Sequence, residues 1–312
     1  MTKDQLQEWI CERLLAAGAV AAGVVRAEKM AIPDGARAWL AAGNAAGMDY
    51  LREHLELKAD PENVLSGARS IVCAAFPHEV IFPPSPPPAI AGYAWGEDYH
   101  VRVRRALTTV ANELNERAPC RWRVCVDTAP LPERHLAVAA GLGFIGTNTC
   151  LIVPGVGPNV VLGELLVDLE VAPTGPSPRP CARCNRCIRD CPGGAISKDG
   201  LLDARRCLSY WTTAAKDAPP DDLRAKGGGR FFGCETCVAV CPHVGPRYHG
   251  AFREEADAAV RVPGFWREPP WREAVYAQLP AWRLARNQEW TASGRNQALT
   301  ASGRNQAPEQ EK

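Results

Sequence analysis

Nowhere in this 312-residue sequence does an apolar run reach the ~18–20 residues that a membrane-spanning helix needs, so no membrane partner is expected. Net charge is missing too. With 36 Lys and Arg against 35 Asp and Glu, the formal charge is +1, and broad affinity for nucleic acid or lipid is not predicted. Any such contact has to come from a local patch. The opening MTKDQLQEWICERLL carries acids and no uninterrupted apolar core, so it does not read as a secretory signal, and a cytoplasmic location is expected. Thr2 and Gln5 have the spacing of a capping box, and Leu6, Ile10 and Leu14 recur at helical intervals, which predicts a helix packed by one face.

Cysteine, by contrast, is plentiful. Thirteen are present, and a reducing compartment argues against a disulfide framework. Eight of them fall between Cys181 and Cys241; Cys11, Cys73, Cys120, Cys125 and Cys150 are scattered and read as ordinary buried cysteines. Cys181-x2-Cys184-x2-Cys187-x3-Cys191-Pro192 has the spacing of a bacterial ferredoxin run, whose fourth cysteine serves the other cluster. Cys234-x2-Cys237-x3-Cys241-Pro242 follows, with Cys207 between the two runs. Eight thiolates suffice for two [4Fe–4S] clusters. Crossed ligation assigns Cys181, Cys184, Cys187 and Cys241 to the first and Cys191, Cys207, Cys234 and Cys237 to the second. Two Cys₄ zinc sites would also use eight cysteines, but zinc ribbons pair one C-x2-C with another and have no use for the additional x2-Cys and Cys-Pro.

The rest of the chain divides around this cluster. Residues 1–172 read as an α/β (α+β) domain with a mixed sheet. Its strands are expected at SIVCAAF (70–76), RWRVCVDTAP (121–130), CLIV and VVLGELLVDLEV, with helices at about Tyr99–Glu116 and over PERHLAVAAGLGF. Five prolines between Pro83 and Pro88 predict an exposed loop. A linker, APTGPSPRP (172–180), leads into a ferredoxin-type domain at 173–250. Residues 251–312 form a polar extension in which Arg-Asn-Gln recurs at 286–288, 295–297 and 304–306. It reads as a mostly disordered tail, with a helical or nucleic-acid-contacting role as the second reading, and truncation after Gln288 is expected to leave folding unaffected.

A two-cluster ferredoxin needs no preceding domain of this size, so the clusters read as a relay feeding a site in residues 1–172. GEDYH (96–100), VDTAPLPER (126–134), AGLGFIGTNTCLI (140–152), LGELLVDLE (162–170) and DARRCLSY (203–210), together with both cysteine runs, resemble the epoxyqueuosine reductase family over about residues 1–245. The resemblance implies cobalamin, bound base-off in a domain shared with corrinoid reductive dehalogenases. A low-potential cluster, fed by an external low-potential electron donor, would reduce the cobalt. The implied substrate is tRNA with epoxyqueuosine at the wobble position, reduced to queuosine. Asp127 matches the family's proposed general acid, and donating near pH 7 requires its pKa to be raised. Taken alone, Asp127 also reads as a cap of the turn that follows. Leu151 and Leu162 become corrinoid contacts or plain core leucines, Leu208 a residue between the second cluster and the corrin, and Tyr99 and His100 the border of the pocket or a solvated helix start. Gly141-x-Gly143-x-x-Gly146 satisfies a dinucleotide pattern, but it ends a helix instead of opening one. Arg179, Arg183, Arg186, Arg189, Lys198, Arg205 and Arg206 form a local basic excess that suits either tRNA phosphates or the tuning of cluster potentials.

Two departures stand out. Residues 251–312 do not read as the helical-repeat domain with which many family members grip tRNA, and CPHV replaces the more usual Cys-Pro-Trp-Asn. A monomer is expected. The competing functions are a corrinoid-dependent reductase of a small molecule and a non-catalytic iron–sulfur electron carrier.

Overall fold

The computed structural model describes residues 1–78, 80–81, 89–95, 97–177, 179–245, 249–250 and 279–302. The proline loop expected around Pro83–Pro88 lies outside these residues, as do 251–278 and 303–312. Four strands, Ala21–Arg26 (β1), Ser70–Pro77 (β2), Trp122–Cys125 (β3) and Val160–Val167 (β4), form the central sheet in the order β1-β2-β4-β3. Every pairing in it is antiparallel, which corrects the expected mixed sheet. Parallel strands need long crossovers between neighbours. Here β2 and β3, which run in the same sense and are joined through the helix Tyr99–Arg117, are not neighbours: β4 lies between them and pairs antiparallel with both.

Three helices cover the sheet. Lys3–Ala16 (α1) starts at a reciprocal capping box: the Thr2 hydroxyl accepts the Gln5 main-chain N–H at 3.2 Å and the Gln5 side-chain Oε1 accepts the Thr2 main-chain N–H at 2.9 Å. Tyr99–Arg117 (α2) is capped by Asp98, whose carboxylate accepts the His100 N–H at 2.8 Å. Leu6, Ile10 and Leu14 of α1 and Val103, Leu107, Val110 and Leu114 of α2 meet Val24, Val72, Phe76, Val124, Leu165 and Val167 in an all-apolar layer. Gly163 allows this close approach, since a Cβ there would stand 2.5 Å from Val103 and 2.7 Å from Leu107. The opposite face carries Ile71, Cys73, Ala75, Cys125 and Leu166 and is covered by Glu133–Ala139 (α3). Past α3, Gly141 takes φ +81° and turns the chain into the short ribbon of Phe144–Ile145 and Leu151–Ile152.

The cysteine-rich segment packs on the same face as α3. Ala239 and Val244, from the second cysteine run, belong to the core beneath α3. The connection at 172–180 is anchored as well: the Thr174 hydroxyl donates to the Ala140 carbonyl at 2.5 Å and accepts the Val24 N–H at 3.1 Å.

The C-terminal extension differs from expectation. Ala281–Ser302 forms a helix (α4) that contains the first two Arg-Asn-Gln copies. Asn287 is 0% exposed; its amide donates to the Thr212 and Phe231 carbonyls at 3.0 and 2.8 Å. Arg286 donates to the Trp211 carbonyl at 2.9 Å, and Trp290 packs on Leu208 and Leu223. A disordered tail is therefore corrected over this helix, and truncation after Gln288 would remove the Trp290 contact. Polar side chains hold it by satisfying main-chain carbonyls, alongside the apolar packing of Leu284 and Trp290.

Candidate active site

Asp127 follows β3 in the left-handed backbone region, φ +58°, which Asp tolerates better than most residues but which is strained for any side chain. Its N–H donates to Glu133 Oε1 at 2.7 Å, so the first residue of α3 fixes the turn. The carboxylate is left free to project. Its side chain is 60% exposed, and Oδ2 stands 3.4 Å from His100 Nε2. His100 Nδ1 in turn meets Asp98 Oδ1 at 2.6 Å, and its ring lies against that of Tyr99 at 4.0 Å. α3 has Pro132 as its N-cap residue and no side-chain cap, so Asp127 does not cap that helix.

The electrostatics run against a simple acid. The bond to His100 is the largest influence on Asp127 and holds its carboxyl below the usual range, against an opposing push from burial. The same bond raises His100. The expected raised pKa at Asp127 is thus corrected for the protein alone. The raised carboxyls are its neighbours: burial pushes Glu133 up and Glu164 well up.

Asp127, Glu133 and Lys58 line a cavity of about 950 Å³. This is at the upper end of small-molecule sites. Leu131, Val138 and Ile145 supply an apolar wall, and Tyr50 and His54 stand on another side with ring centroids 6.3 Å apart. Of the other residues expected here, Leu151 is buried in the core cluster that includes Leu131, with the half-buried Leu162 packed against it. Leu208 is buried between Leu223 and Trp290. None of the three lines the cavity.

The eight clustered cysteines fall into two sets. Cys181, Cys184, Cys187 and Cys241 line one small cavity. Cys191, Cys207, Cys234 and Cys237 lie close enough to act on one another electrostatically. Main-chain donors face the sulfurs: the Arg183 N–H reaches Cys181 Sγ at 3.5 Å and the Ala195 N–H reaches Cys191 Sγ at 3.3 Å. The loop that mimics a dinucleotide motif is wedged between the two sets. Thr147 Oγ1 contacts Cys181 Sγ at 3.7 Å, and the buried Asn148 donates to the Cys237 carbonyl at 3.1 Å. Of the basic patch, Arg189, Arg205 and Arg206 are engaged in ion pairs with Asp190, Asp203 and Asp222.

A curated epoxyqueuosine reductase from Gloeobacter violaceus is 35% identical over 293 residues, which span 90% of this chain and 88% of the relative. The chain belongs to the epoxyqueuosine reductase family. Within it, the family described as "Epoxyqueuosine reductase QueG, DUF1730" matches residues 58–128, and the 4Fe-4S double cluster binding domain matches 180–244. A solved epoxyqueuosine reductase bound to an epoxyqueuosine-modified tRNA stem loop superposes with a TM-score of 0.67 at 30% identity. The match covers 76% of this family member, which spans 65% of that solved chain. The fold also follows that of epoxyqueuosine reductase from Streptococcus thermophilus, with a TM-score of 0.76 at 24% identity, over 93% of this chain and 81% of that one. The enzyme class is therefore that of an oxidoreductase, and it carries a double iron–sulfur domain.

Four cavity groups escape a reading of the sequence: Tyr50, His54, Lys58 and Glu133. The first three lie about 70 residues before Asp127 and reach it only through the fold. Glu164, behind Glu133, carried a visible signal, because a single acid interrupts the apolar run VVLGELLV at an inward-facing position.

Proposed function

We propose that this protein reduces epoxyqueuosine to queuosine at the wobble position of tRNA, with base-off cobalamin held by residues 1–172 and two [4Fe–4S] clusters held by 173–250. The observation that carries the reading is the Asp127–His100 pair at a cavity of about 950 Å³ in a chain of this family. The solved relative bound to a modified stem loop supports tRNA as the substrate.

The residues fit the groups. The four thiols around one cavity, with main-chain N–H donors aimed at sulfur, suit a cubane held by Cys181, Cys184, Cys187 and Cys241. The second set, Cys191, Cys207, Cys234 and Cys237, suits another. The large cavity with Leu131, Val138 and Ile145 on one wall suits a macrocycle, with Leu151 and Leu162 packed behind it. Cobalamin supplies, when bound, the reducing power needed to break a C–O bond, drawn through the clusters from a low-potential donor.

The chain's own residues do the rest. Opening the epoxide leaves charge on oxygen that must be neutralised as it forms, and Asp127 is the acid placed to do so. His100 orients Asp127 through Nε2, while Asp98 fixes the ring through Nδ1. The Glu133 bond to the Asp127 main chain holds the loop that carries the acid. Tyr50 and His54 offer ring faces at the cavity for the base. Among the described residues no helix is long and apolar enough to cross a membrane, and a cytoplasmic site of action follows from the substrate.

Anaerobic reconstitution with cobalamin and a reductant, followed by nucleoside analysis of epoxyqueuosine-containing tRNA, tests the reading. Queuosine is expected, from protein containing about eight iron atoms. Turnover of a small molecule with tRNA left unchanged would defeat it.

A further inference from the structure

Glu164 occupies a core position. It lies mid-strand in β4, opposite Cys73 of β2 and Cys125 of β3, on the face beneath α3. Its side chain is 0% exposed, and no N–H or hydroxyl donor reaches either carboxyl oxygen within 3.5 Å among the described residues; the group it faces is the carboxyl of Glu133. A carboxylate with no counter-charge in such a place is costly, so the group keeps its proton. Burial is the main cause, the charge of Glu133 and a side-chain hydrogen bond with it add to it, and Asp127 contributes less. The flanking thiols of Cys73 and Cys125 bring no positive charge, being pushed up by burial themselves. Glu133 bridges to the cavity: Asp127 faces it from the β3 loop, and Lys58, near Arg134, is the cation that acts on it.

A buried acid whose partner is a second acid, which in turn holds the loop of a third, forms a line from the sheet to the cavity. We propose that Glu164 and Glu133 are a proton store that recharges Asp127, an inference that rests on the functional reading above. Reducing an epoxide to an alkene breaks two C–O bonds, forms the C=C π bond and releases the oxygen as water. It consumes two electrons and two protons. The electrons come from a low-potential one-electron donor through the clusters. The protons reach the departing oxygen through Asp127, which the His100 bond keeps ionised at neutral pH. Asp127 therefore has to be loaded before it can give. Glu164 supplies one proton by way of Glu133 and is refilled from solvent, which provides the second. The transfer is downhill overall, because an alkoxide or departing hydroxide is a far stronger base than any carboxylate, even though Asp127 between them is the weakest base of the series. Glu133 and Glu164 act through Asp127 and do not touch the substrate.

Infrared titration of the cofactor-free protein provides the first readout. Wild type should keep a protonated carboxyl band at neutral pH that Glu164→Gln removes. No such band in wild type, or its survival in the variant, would overturn the proposal. Single-turnover reduction of epoxyqueuosine-containing tRNA across pH is the second. Glu164→Gln should slow the reaction roughly 10–100-fold at alkaline pH, with little change at acid pH and none in KM. Glu133→Gln keeps the acceptor for the Asp127 N–H and should shift the pH profile in the same way, so it carries the test if Glu164→Gln fails to fold. Profiles identical to wild type in the folded variants would overturn the store. Wild-type enzyme that shows the band and binds tRNA yet leaves epoxyqueuosine intact would instead defeat the functional reading, and the store with it.

Discussion

Successive residues of β4 enter two different environments. Leu165 and Val167 turn toward α1 and α2, into a layer built by Leu6, Ile10, Leu14, Val72, Phe76, Leu107 and Leu114. Glu164 and Leu166 turn the other way, toward α3 and the cysteine-rich lobe, where Cys73, Cys125 and a buried carboxyl share the face. The same backbone thus has one face given to cohesion and one to chemistry. The helix-covered face, with Leu107, Leu114, Ile10 and Leu14 almost wholly buried, supplies hydrophobic stabilisation of about 1.5–3 kcal/mol for each such side chain. The other face bears costs: a left-handed Asp127, a buried acid whose partner is another acid, and four thiols crowded around one small cavity. Strain at the site is tolerated because the opposite face holds the sheet in place.

The largest effect that tests this division belongs to Asp127→Asn. Turnover should fall by roughly 10²–10⁴-fold in single-turnover assays with pre-reduced enzyme, while the melting temperature stays close to wild type. A melting loss with turnover intact would place Asp127 on the structural side. Leu107→Ala is the mirror experiment. It should cost about 2–5 kcal/mol in denaturant unfolding while iron content remains that of wild type. Iron loss in folded Leu107→Ala protein would show that the two faces are not independent.

The smallest effect sharpens the site itself. His100 has its pKa raised by Asp127 first and by Asp98 as well, so its stabilising contribution is complete below the ordinary value near 6.5 and is lost as pH rises through the folded value. Asp127 is lowered, so its contribution holds above the ordinary carboxylate value near 3.9 and is lost as pH falls through its folded value. The pair is therefore intact between those limits. In Asp127→Asn the imidazole pKa should move down part of the way, read from the ring protons by NMR, with Asp98 retaining the remainder. An unchanged value would mean that His100 is held by Asp98 alone.

Local signals carried much of this molecule. The capping box at Thr2, the strand at 70–77, the helix from Tyr99 and the cysteine spacings all depend on neighbours in the chain, and the sequence patterns match the elements observed. Strand direction does not depend on neighbours alone, which is why the all-antiparallel sheet was not legible. Nor was the cavity, since Tyr50, His54 and Lys58 approach Asp127 only after the sheet has formed. The helix at Ala281–Ser302 was hidden for another reason. Arg286 and Asn287 hold it by donating to carbonyls, and hydropathy has no term for that.

That helix also sets an order of events during synthesis. Thr212 and Phe231 leave the ribosome 75 and 56 residues ahead of the Asn287 amide that later ties their carbonyls together. Until then Leu208, beside Cys207, lacks the Trp290 side of its packing. The thiols of Cys207 and Cys234 are thus more open on the nascent chain than in the finished protein. Vectorial translation favours filling that lobe first and shutting it afterwards.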